Sequence, residues 1–193
     1  MSQTQKSFKV RVKSYHGDVV DLKVPLSEKD VLKLKTGNIV YLSGIIYTAR
    51  DLAHRKIVDL AKRGELPFSL EGAAIYHCGP IVRKNKGEFE IVSAGPTTST
   101  RMNRYLNEVL SLGVRGIIGK GGMIPEPFKK HSAVYFAFTG GAGSLAAKSI
   151  KKVRDVFWLD ELGIPEAVWV LEVERFPLLV AIDAHGNSIY KKS

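Results

Sequence analysis

Two arginines at the starts of predicted helices are the side chains best suited to chemistry in this sequence. Arg50 follows the apolar run 39–46, and Arg101 follows a corner of hydroxyl residues at 97–100. The free N–H groups and the dipole of a helix start attract anions and disfavour cations. A carboxylate or phosphate shared with the guanidinium would remove that penalty, and two guanidiniums could hold both ends of a diacid. The simpler alternative is that each arginine is solvated at the surface or pairs with a neighbouring acid such as Asp51.

A glycine-rich bend and a pair of hydroxyls add further groups that could contact an anion. Lys120 lies within the bend 119–122, where glycines let a ligand approach the backbone closely and the lysine adds a point charge. The bend lacks the spacing of a P-loop, and an exposed lysine on a turn is the alternative. Thr97 and Thr98 precede Arg101, and their hydroxyls can either cap the helix or contact a ligand.

A third corner, at 138–144, leads from an apolar run into a predicted helix and carries a dinucleotide-like signature. Residues 141–146 match G-x-G-x-x-A after a strand. The next predicted strand begins near residue 167 and offers Glu172 or Glu174 as the acid that would bind a ribose, which is late for this motif. A nucleotide-binding module is therefore an alternative function for the chain.

The cysteine and histidine content argues against a self-contained metal site. Cys78 is the only cysteine, which excludes an internal disulfide and a cysteine-ligated zinc or iron-sulfur site within this chain. The five histidines lack the H-x-x-x-H and H-E-x-x-H spacings. His77 adjoins Cys78, but neighbouring side chains on an extended chain point to opposite faces, which predicts a packed turn rather than a nucleophile pair.

The charge pattern predicts an anionic partner. The chain of 193 residues has a net charge of +10, which raises the local concentration of anions. Its basic residues are dispersed and are not interleaved with aromatics, so a nucleic acid is not expected as partner. No apolar stretch reaches 18 residues and the first residues lack the features of a secretory signal, so we expect no membrane association and a cytoplasmic location.

The elements that must position these residues are mainly strands, with four helices between them. Alternating or continuous apolar runs predict the strands, and capping residues with 3.6-residue periodicity predict the helices. Thr48 is the predicted N-cap of the second helix, and the first two strands are predicted to form a hairpin. The predicted strands are 8–13, 19–24, 39–46, 73–77, 88–93, 114–118, 133–138, 167–174, 178–183 and 188–190, and the predicted helices are 31–34, 49–63, 102–110 and 144–156. We expect a single α/β domain over 1–193, strand-rich, with two sheet layers and helices on one side.

With these residues in place, the sequence resembles the beta subunit of two-subunit class I fumarases and L-tartrate dehydratases. That subunit is similar to the C-terminal domain of the single-chain forms. The resemblance covers nearly the whole chain and rests on five segments: L-S-G-I-I-Y-T-A-R-D-L-A-H, H-C-G-P, S-A-G-P-T-T-S-T-R-M, G-K-G-G and G-G-A-G-S-L-A-A.

The resemblance implies a fold, a partner and a reaction. It implies a swivelling β/β/α domain whose cluster-bearing alpha subunit holds a [4Fe-4S] cluster with one open iron, in a hetero-oligomer such as two alpha plus two beta. The implied reaction is the reversible dehydration of a 2-hydroxy dicarboxylate, malate to fumarate, in which the open iron polarises the leaving hydroxyl. Dehydration of L-tartrate is the alternative within the family.

The resemblance also implies roles for individual residues of the matching motifs. Arg50, Arg101 and Lys120 would bind the substrate carboxylates together with Thr98, and Thr97 would lie at the reacting carbon. Because a threonine hydroxyl is a weak acid, we expect an acidic residue of the partner to activate Thr97 or to act as the base itself. Outside this family, a non-enzymatic anion-binding or nucleotide-binding module is the alternative to an enzyme subunit.

Overall fold

The computed structural model describes residues 17–85, 87–139 and 143–190, and within them strands predominate. The strands are β1 Val19–Lys23, β2 Ile39–Thr48, β3 Ala74–Tyr76, β4 Ile81–Asn85, β5 Glu88–Ser93, β6 Gly116–Gly119, β7 Val134–Ala137, β8 Ile150–Phe157 and β9 Val168–Ile182. The helices are α1 Glu28–Leu32, α2 Asp51–Arg63, α3 Asn103–Ser111, α4 Glu126–Lys130, α5 Gly143–Ser149 and α6 Leu159–Leu162, with a 3-10 helix Ser99–Met102 before α3. The expected strand-rich α/β class is confirmed.

Seven strands form one sheet in the order β1-β2-β3-β6-β7-β9-β8, and a further pairing of β2 with β9 closes its middle into a barrel. The neighbours β1-β2, β2-β3, β3-β6 and β6-β7 are parallel, whereas β9 runs antiparallel to β2, β7 and β8. The carboxyl ends of β2, β3, β6 and β7 therefore meet at one end of the barrel, where α/β proteins commonly bind ligands.

Two cores lie on the two faces of the barrel strands, because successive strand residues point to opposite sides. In β3, Ala74 and Tyr76 belong to the core inside the barrel, and Ile75 belongs to the core beneath the helices. β7 shows the same alternation, with Phe136 inside and Tyr135 outside. Helices α2, α3 and α4 thus cover one part of the barrel surface, in agreement with the expected placement of helices on one side of the sheet.

α2 and α3 lie within two residues of the predicted helices 49–63 and 102–110, whereas α1 begins three residues before the predicted helix 31–34, and α4 and α6 are not predicted by the sequence. Ser27 caps α1 in a reciprocal capping box with Asp30, which satisfies two backbone N–H groups that a helix start otherwise leaves free. Gly64 closes α2 with φ +71°, a left-handed conformation that glycine adopts at little cost. The buried face of α2, with Ala53 and Ile57, packs with Leu106 and Val109 of α3 under the barrel.

Several predicted elements differ from the observed ones. The predicted helix 144–156 is wrong in its second half: α5 ends at Ser149, and β8 follows directly, paired with β9. Thr48 is not an N-cap but the last residue of β2, where its hydroxyl donates to the carbonyl of Ala167, just before β9, and accepts the N–H of Trp169 in β9. The two predicted strands at 167–174 and 178–183 are the single strand β9.

Other differences concern the ends of the chain and the sheet layers. Residues 188–190 contribute an isolated bridge between Ser188 and Ile182 rather than a strand. β1 pairs with β2 in parallel, and its predicted hairpin partner 8–13 lies outside the described residues. The predicted second sheet layer is the small β4-β5 hairpin, which packs on the barrel core through Ile91.

Candidate functional site

The predicted site residues lie in the loops that follow the parallel strands. β2 runs into Arg50, β3 into His77, and β6 into Lys120, so all three leave the same end of the barrel. The loop between β5 and the 3-10 helix returns to this end and joins the other two loops by backbone bonds. Thr97 donates its N–H to the carbonyl of His77 at 2.7 Å, and Ser99 donates to the carbonyl of Lys120 at 3.0 Å.

The guanidinium group of Arg101 connects its own corner of the chain to the start of α2. Its Nη2 donates to Thr97 Oγ1 at 2.9 Å and lies 3.1 Å from Asp51 Oδ2. Arg104 approaches the other oxygen of Asp51 at 3.5 Å. Arg101 is 47% exposed, so the face of its guanidinium that Asp51 does not cover is open to solvent.

Arg50 is held by an acid that lies far away in the chain. Its Nε lies 3.3 Å from Glu166 Oε1, close enough for an ion pair but not aligned as a hydrogen bond. The second oxygen of Glu166 accepts the N–H of Leu52 at 2.9 Å, in the first turn of α2. A carboxylate of the chain itself, that of Glu166, therefore occupies the start of α2, where the sequence predicts an external anion. A side chain on Gly79 would come within 2.9 Å of Arg50 Nη1, so glycine leaves room for the guanidinium.

Lys120 and Thr98 form the exposed part of the candidate site. The two residues pair as a parallel bridge, and both are exposed. Gly121 has φ +77°, which turns the chain sharply after Lys120 and explains the glycine there. Among residues 17–85, 87–139 and 143–190, no carboxylate forms a salt bridge with Lys120.

A buried polar layer lies beneath these loops. His77 Nδ1 is 2.8 Å from Ser99 Oγ, and the hydroxyl of Tyr135 lies 3.1 Å from the same oxygen. The ring of His54 packs against His77 at 5.0 Å. Burial lowers the pKa of His54 to about 4, and burial together with His54 and Arg101 holds the pKa of His77 well below 6.5. Both imidazoles are therefore neutral at physiological pH.

The structure agrees with the expected packed turn at His77 and Cys78. Both side chains are fully buried, and burial raises the pKa of the Cys78 thiol to about 12. A thiol with so high a pKa is not a nucleophile at neutral pH. Within the described ranges, no three His, Cys, Asp or Glu side chains come together as a metal-ion site. The described residues of this chain therefore do not fit an iron-sulfur cluster as its ligands.

Sequence reasoning found the exposed cations of the site but missed the groups that hold them. Glu166 and Tyr135 lie in segments without a motif, and only the fold brings them to the loops. Asp51, the alternative partner that the sequence offers for the arginines, pairs with Arg101. The third corner, 138–144, lies partly outside the described residues, and the helix that follows it has only 7 residues.

The structure defines the class of the protein as a strand-rich α/β barrel with helices at its side, whose parallel strands place two guanidiniums, an ammonium and threonine hydroxyls at their carboxyl ends. The chain belongs to the fumarase C-terminus family, whose profile matches residues 1–193. The expected family resemblance is therefore confirmed.

Named relatives share most of this chain. It is 53% identical over 173 residues to a Methanocaldococcus jannaschii protein named by inference as an L(+)-tartrate dehydratase subunit beta, covering 86% of this chain and 89% of that protein. It is 42% identical to the L(+)-tartrate dehydratase subunit beta of Escherichia coli K12, with 87% and 85% covered. A Geobacillus stearothermophilus protein named by inference as a class I fumarate hydratase is 40% identical, covering 90% of this chain and 34% of that longer protein.

The names of these relatives bear on the expected activity. All three relatives are named as hydro-lyases or subunits of them, so the expected hydro-lyase class is confirmed at the level of the family. None of the helices within the described residues is long and apolar enough to cross a bilayer.

Proposed function

We propose that this chain is the beta subunit of a hydro-lyase that reversibly dehydrates a 2-hydroxy dicarboxylate, with malate to fumarate as the first candidate reaction. The observation that carries the proposal is the common position of Arg50, Arg101 and Lys120 at the carboxyl ends of the barrel strands. Guanidinium groups bind carboxylates with two parallel hydrogen bonds, and an ammonium adds a point charge. Glu166 pairs with Arg50 and Asp51 pairs with Arg101, so the unpaired charge of Lys120 and the guanidinium donors that these acids leave free would attract and bind the substrate.

Dehydration also requires charge stabilisation beside the reacting carbon. When a proton leaves the carbon next to a carboxylate, negative charge builds on that carboxylate in the transition state. Arg101 is the group best placed to stabilise this charge, because it contacts Thr97 directly and is partly open to solvent. Thr98 would add a hydroxyl donor at the same edge, next to Lys120.

Thr97 would lie at the reacting carbon, where Arg101 adjusts its acidity. The guanidinium donates to Thr97 Oγ1, and a hydrogen bond from a cation favours the deprotonated form of a hydroxyl. This effect alone does not make threonine a base at neutral pH, so we propose that an acidic residue of the partner subunit receives the proton through Thr97 or directly.

The partner subunit completes the proposed site. A [4Fe-4S] cluster would be held by the alpha subunit, in keeping with the single buried cysteine of this chain, and would supply Lewis acidity. The assembly would be a hetero-oligomer such as two alpha plus two beta subunits, located in the cytoplasm. Names of relatives that state a subunit beta support the need for a partner.

The test is the substitution Arg101→Ala in the complex reconstituted with the alpha subunit under anaerobic conditions. We expect a loss of roughly 2–4 kcal/mol of transition-state stabilisation, about 30- to 1000-fold in kcat/KM. Arg104→Ala is the matched control, because Arg104 pairs with the same Asp51 but is 64% exposed and does not contact Thr97. A loss below about threefold for Arg101→Ala, or an equal loss for Arg104→Ala, would overturn the assignment.

A second candidate substrate is L-tartrate, which one hydroxyl group distinguishes from malate. The names of the relatives at 53% and 42% identity favour it. Assaying malate and L-tartrate with the same reconstituted complex decides between the two, since the ratio of the kcat/KM values measures specificity. Micromolar binding of a nucleotide by the isolated chain, with no turnover in the complex, would instead support a non-enzymatic module.

A further inference from the structure

Three buried side chains form a continuous hydrogen-bonded row beneath the candidate site. His77 Nδ1 lies 2.8 Å from Ser99 Oγ, Ser99 Oγ lies 3.1 Å from Tyr135 Oη, and Tyr135 Oη lies 2.9 Å from the carbonyl oxygen of Gly121. The side chains come from the loop after β3, the 3-10 helix and β7. The row therefore links three separate segments of the chain at one end of the barrel.

Counting protons fixes the direction of this row. The carbonyl of Gly121 can only accept, so the single proton of Tyr135 points to it. Tyr135 Oη then accepts the proton of Ser99, and Ser99 Oγ in turn accepts one from His77 Nδ1. The reverse direction would leave the bond between Ser99 and Tyr135 without a proton of its own. The only assignment that satisfies every bond has the proton of His77 on Nδ1.

This assignment also accounts for the other ring nitrogen of His77. Its Nε2 is fully buried and has no hydrogen-bond partner among the described residues. A bare nitrogen lone pair leaves one acceptor unsatisfied, whereas the alternative tautomer would bury an N–H donor without a partner and also break the row. The groups facing the ring are His54, which is neutral, and Arg101, whose charge opposes protonation of His77.

The row holds two loops that carry proposed substrate-binding groups. Tyr135 fixes the carbonyl of Gly121, the residue after Lys120, while Ser99 follows Thr98 in the chain. Ser99 also donates its N–H to the carbonyl of Lys120 at 3.0 Å. A Cβ on Gly119 would lie 1.9 Å from Ser99 Oγ, so the strand approaches the row as closely as a residue without a side chain permits.

We propose that His77, Ser99 and Tyr135 are positioning residues: a one-way row of hydrogen bonds, with His77 held as the Nδ1–H tautomer, sets the distance between the Lys120 loop and the Thr97–Arg101 corner. The catalytic consequence rests on the proposed function, but the tautomer does not. Rigid support of this kind matters because small displacements of binding groups reduce rates strongly.

The tautomer is tested by ¹⁵N NMR of the histidine rings in the full chain. We expect His77 to carry its proton on Nδ1 in the native protein. In Tyr135→Phe the hydroxyl of Ser99 loses its acceptor, turns to His77 Nδ1, and shifts the ring proton to Nε2. A native ring protonated at Nε2 would overturn the proposed direction, and an unchanged tautomer in Tyr135→Phe would overturn the dependence of that tautomer on Tyr135. A purely structural role of the tyrosine would not move this signal.

The positioning role is tested in the reconstituted complex. We expect Tyr135→Phe to lower kcat/KM by about 3- to 30-fold, the loss of one or two hydrogen bonds. Tyr190→Phe is the control. The ring centroid of Tyr190 lies 6.5 Å from that of Tyr135, and the Tyr190 hydroxyl forms no hydrogen bond within the described residues. If Tyr135→Phe does not fold, Ser99→Ala replaces it. Activity equal to the native complex in a folded variant, alongside an impaired Arg101→Ala, would overturn the positioning role and leave the proposed function standing.

Discussion

Replacing Gly119 by alanine should destabilise the protein because the new methyl group would meet the hydroxyl of Ser99. The added Cβ would lie 1.9 Å from Ser99 Oγ and 3.3 Å from His77 Nδ1, and the first distance is far below any real contact. Overpacking a buried site costs about 1–3 kcal/mol. Ser99 is fixed by bonds to His77 and Tyr135, and displacing it loses about another 1 kcal/mol. We therefore expect Gly119→Ala to lower the free energy of unfolding by about 2–4 kcal/mol.

The same geometry predicts that a second substitution rescues the first. Ser99→Ala alone should cost about 1–3 kcal/mol, because it leaves buried groups of His77 and Tyr135 without partners. In the double variant, the methyl of residue 119 enters the space that the hydroxyl of Ser99 has left. The two losses of unfolding free energy should therefore not add. We expect the loss in the double variant to be smaller than the sum of the two single losses by at least about 1.5 kcal/mol.

The assay is urea unfolding of the four proteins of this cycle, followed by circular dichroism at one pH. Gly122→Ala serves as control, since its added Cβ would meet only the Tyr190 ring at 3.6 Å, an ordinary contact. Two results would refute the reasoning: Gly119→Ala within about 0.5 kcal/mol of the native protein, or additivity of the two substitutions within about 0.5 kcal/mol.

Three further predictions concern pH, a strand glycine and the acid at the start of α2. Burial lowers the pKa of His54 from 6.5 to about 4, so between these values the unfolded chain binds a proton that the folded protein does not. The free energy of unfolding should therefore be unaffected by His54 above pH 6.5 and fall by roughly 3 kcal/mol as the pH drops toward 4. His54→Gln should flatten this pH profile, and an unchanged slope would contradict the prediction. Gly44→Ala should lower the free energy of unfolding by over about 2 kcal/mol, because φ is +112° and the Cβ would lie 2.8 Å from the Val24 carbonyl oxygen. Gly64→Ala, with φ +71° and open space around the Cβ, should lower it by only about 1 kcal/mol. Equal losses in urea unfolding would count against this prediction. Glu166→Gln should remove the ion pair that orients Arg50, raising KM for the dicarboxylate in the reconstituted complex, and a lowered KM would refute it.

The strands and helices that carry strong periodicity could be predicted from the sequence, and those set by pairing could not. The capping box of α1 and the closing glycine of α2 are local signals; α2 occurs where expected, and α1 begins three residues before the predicted helix 31–34. The segment 150–156 has apolar residues that fit a helix, but it is a strand because it pairs along β9. Tertiary pairing here outweighs local propensity, which is a weak guide on its own.

The site divides in the same way between local and distant signals. Arg50, Arg101 and Lys120 stand at turns that the sequence marks by glycine and hydroxyl residues, so they could be selected as candidates, but the parallel pairing that brings these turns to one end of the barrel could not be predicted. Glu166 is separated from Leu52 by 114 positions, and only the closed barrel brings it to α2. Tyr135 is one of several aromatics in an apolar strand, and no periodicity distinguishes its hydroxyl from a core residue.

The distant carboxylates explain how a cationic site can be rigid before its ligand arrives. Asp51 holds Arg101 and Glu166 holds Arg50, so each guanidinium is oriented while some of its five donors remain for a ligand. An arginine that is already ordered loses less side-chain entropy on binding, a saving of up to about 2 kcal/mol. The same acids cancel part of the positive field. Among the described residues Lys120 has no such acid, and its charge should therefore contribute most to attracting the dianion, while the two arginines determine its orientation.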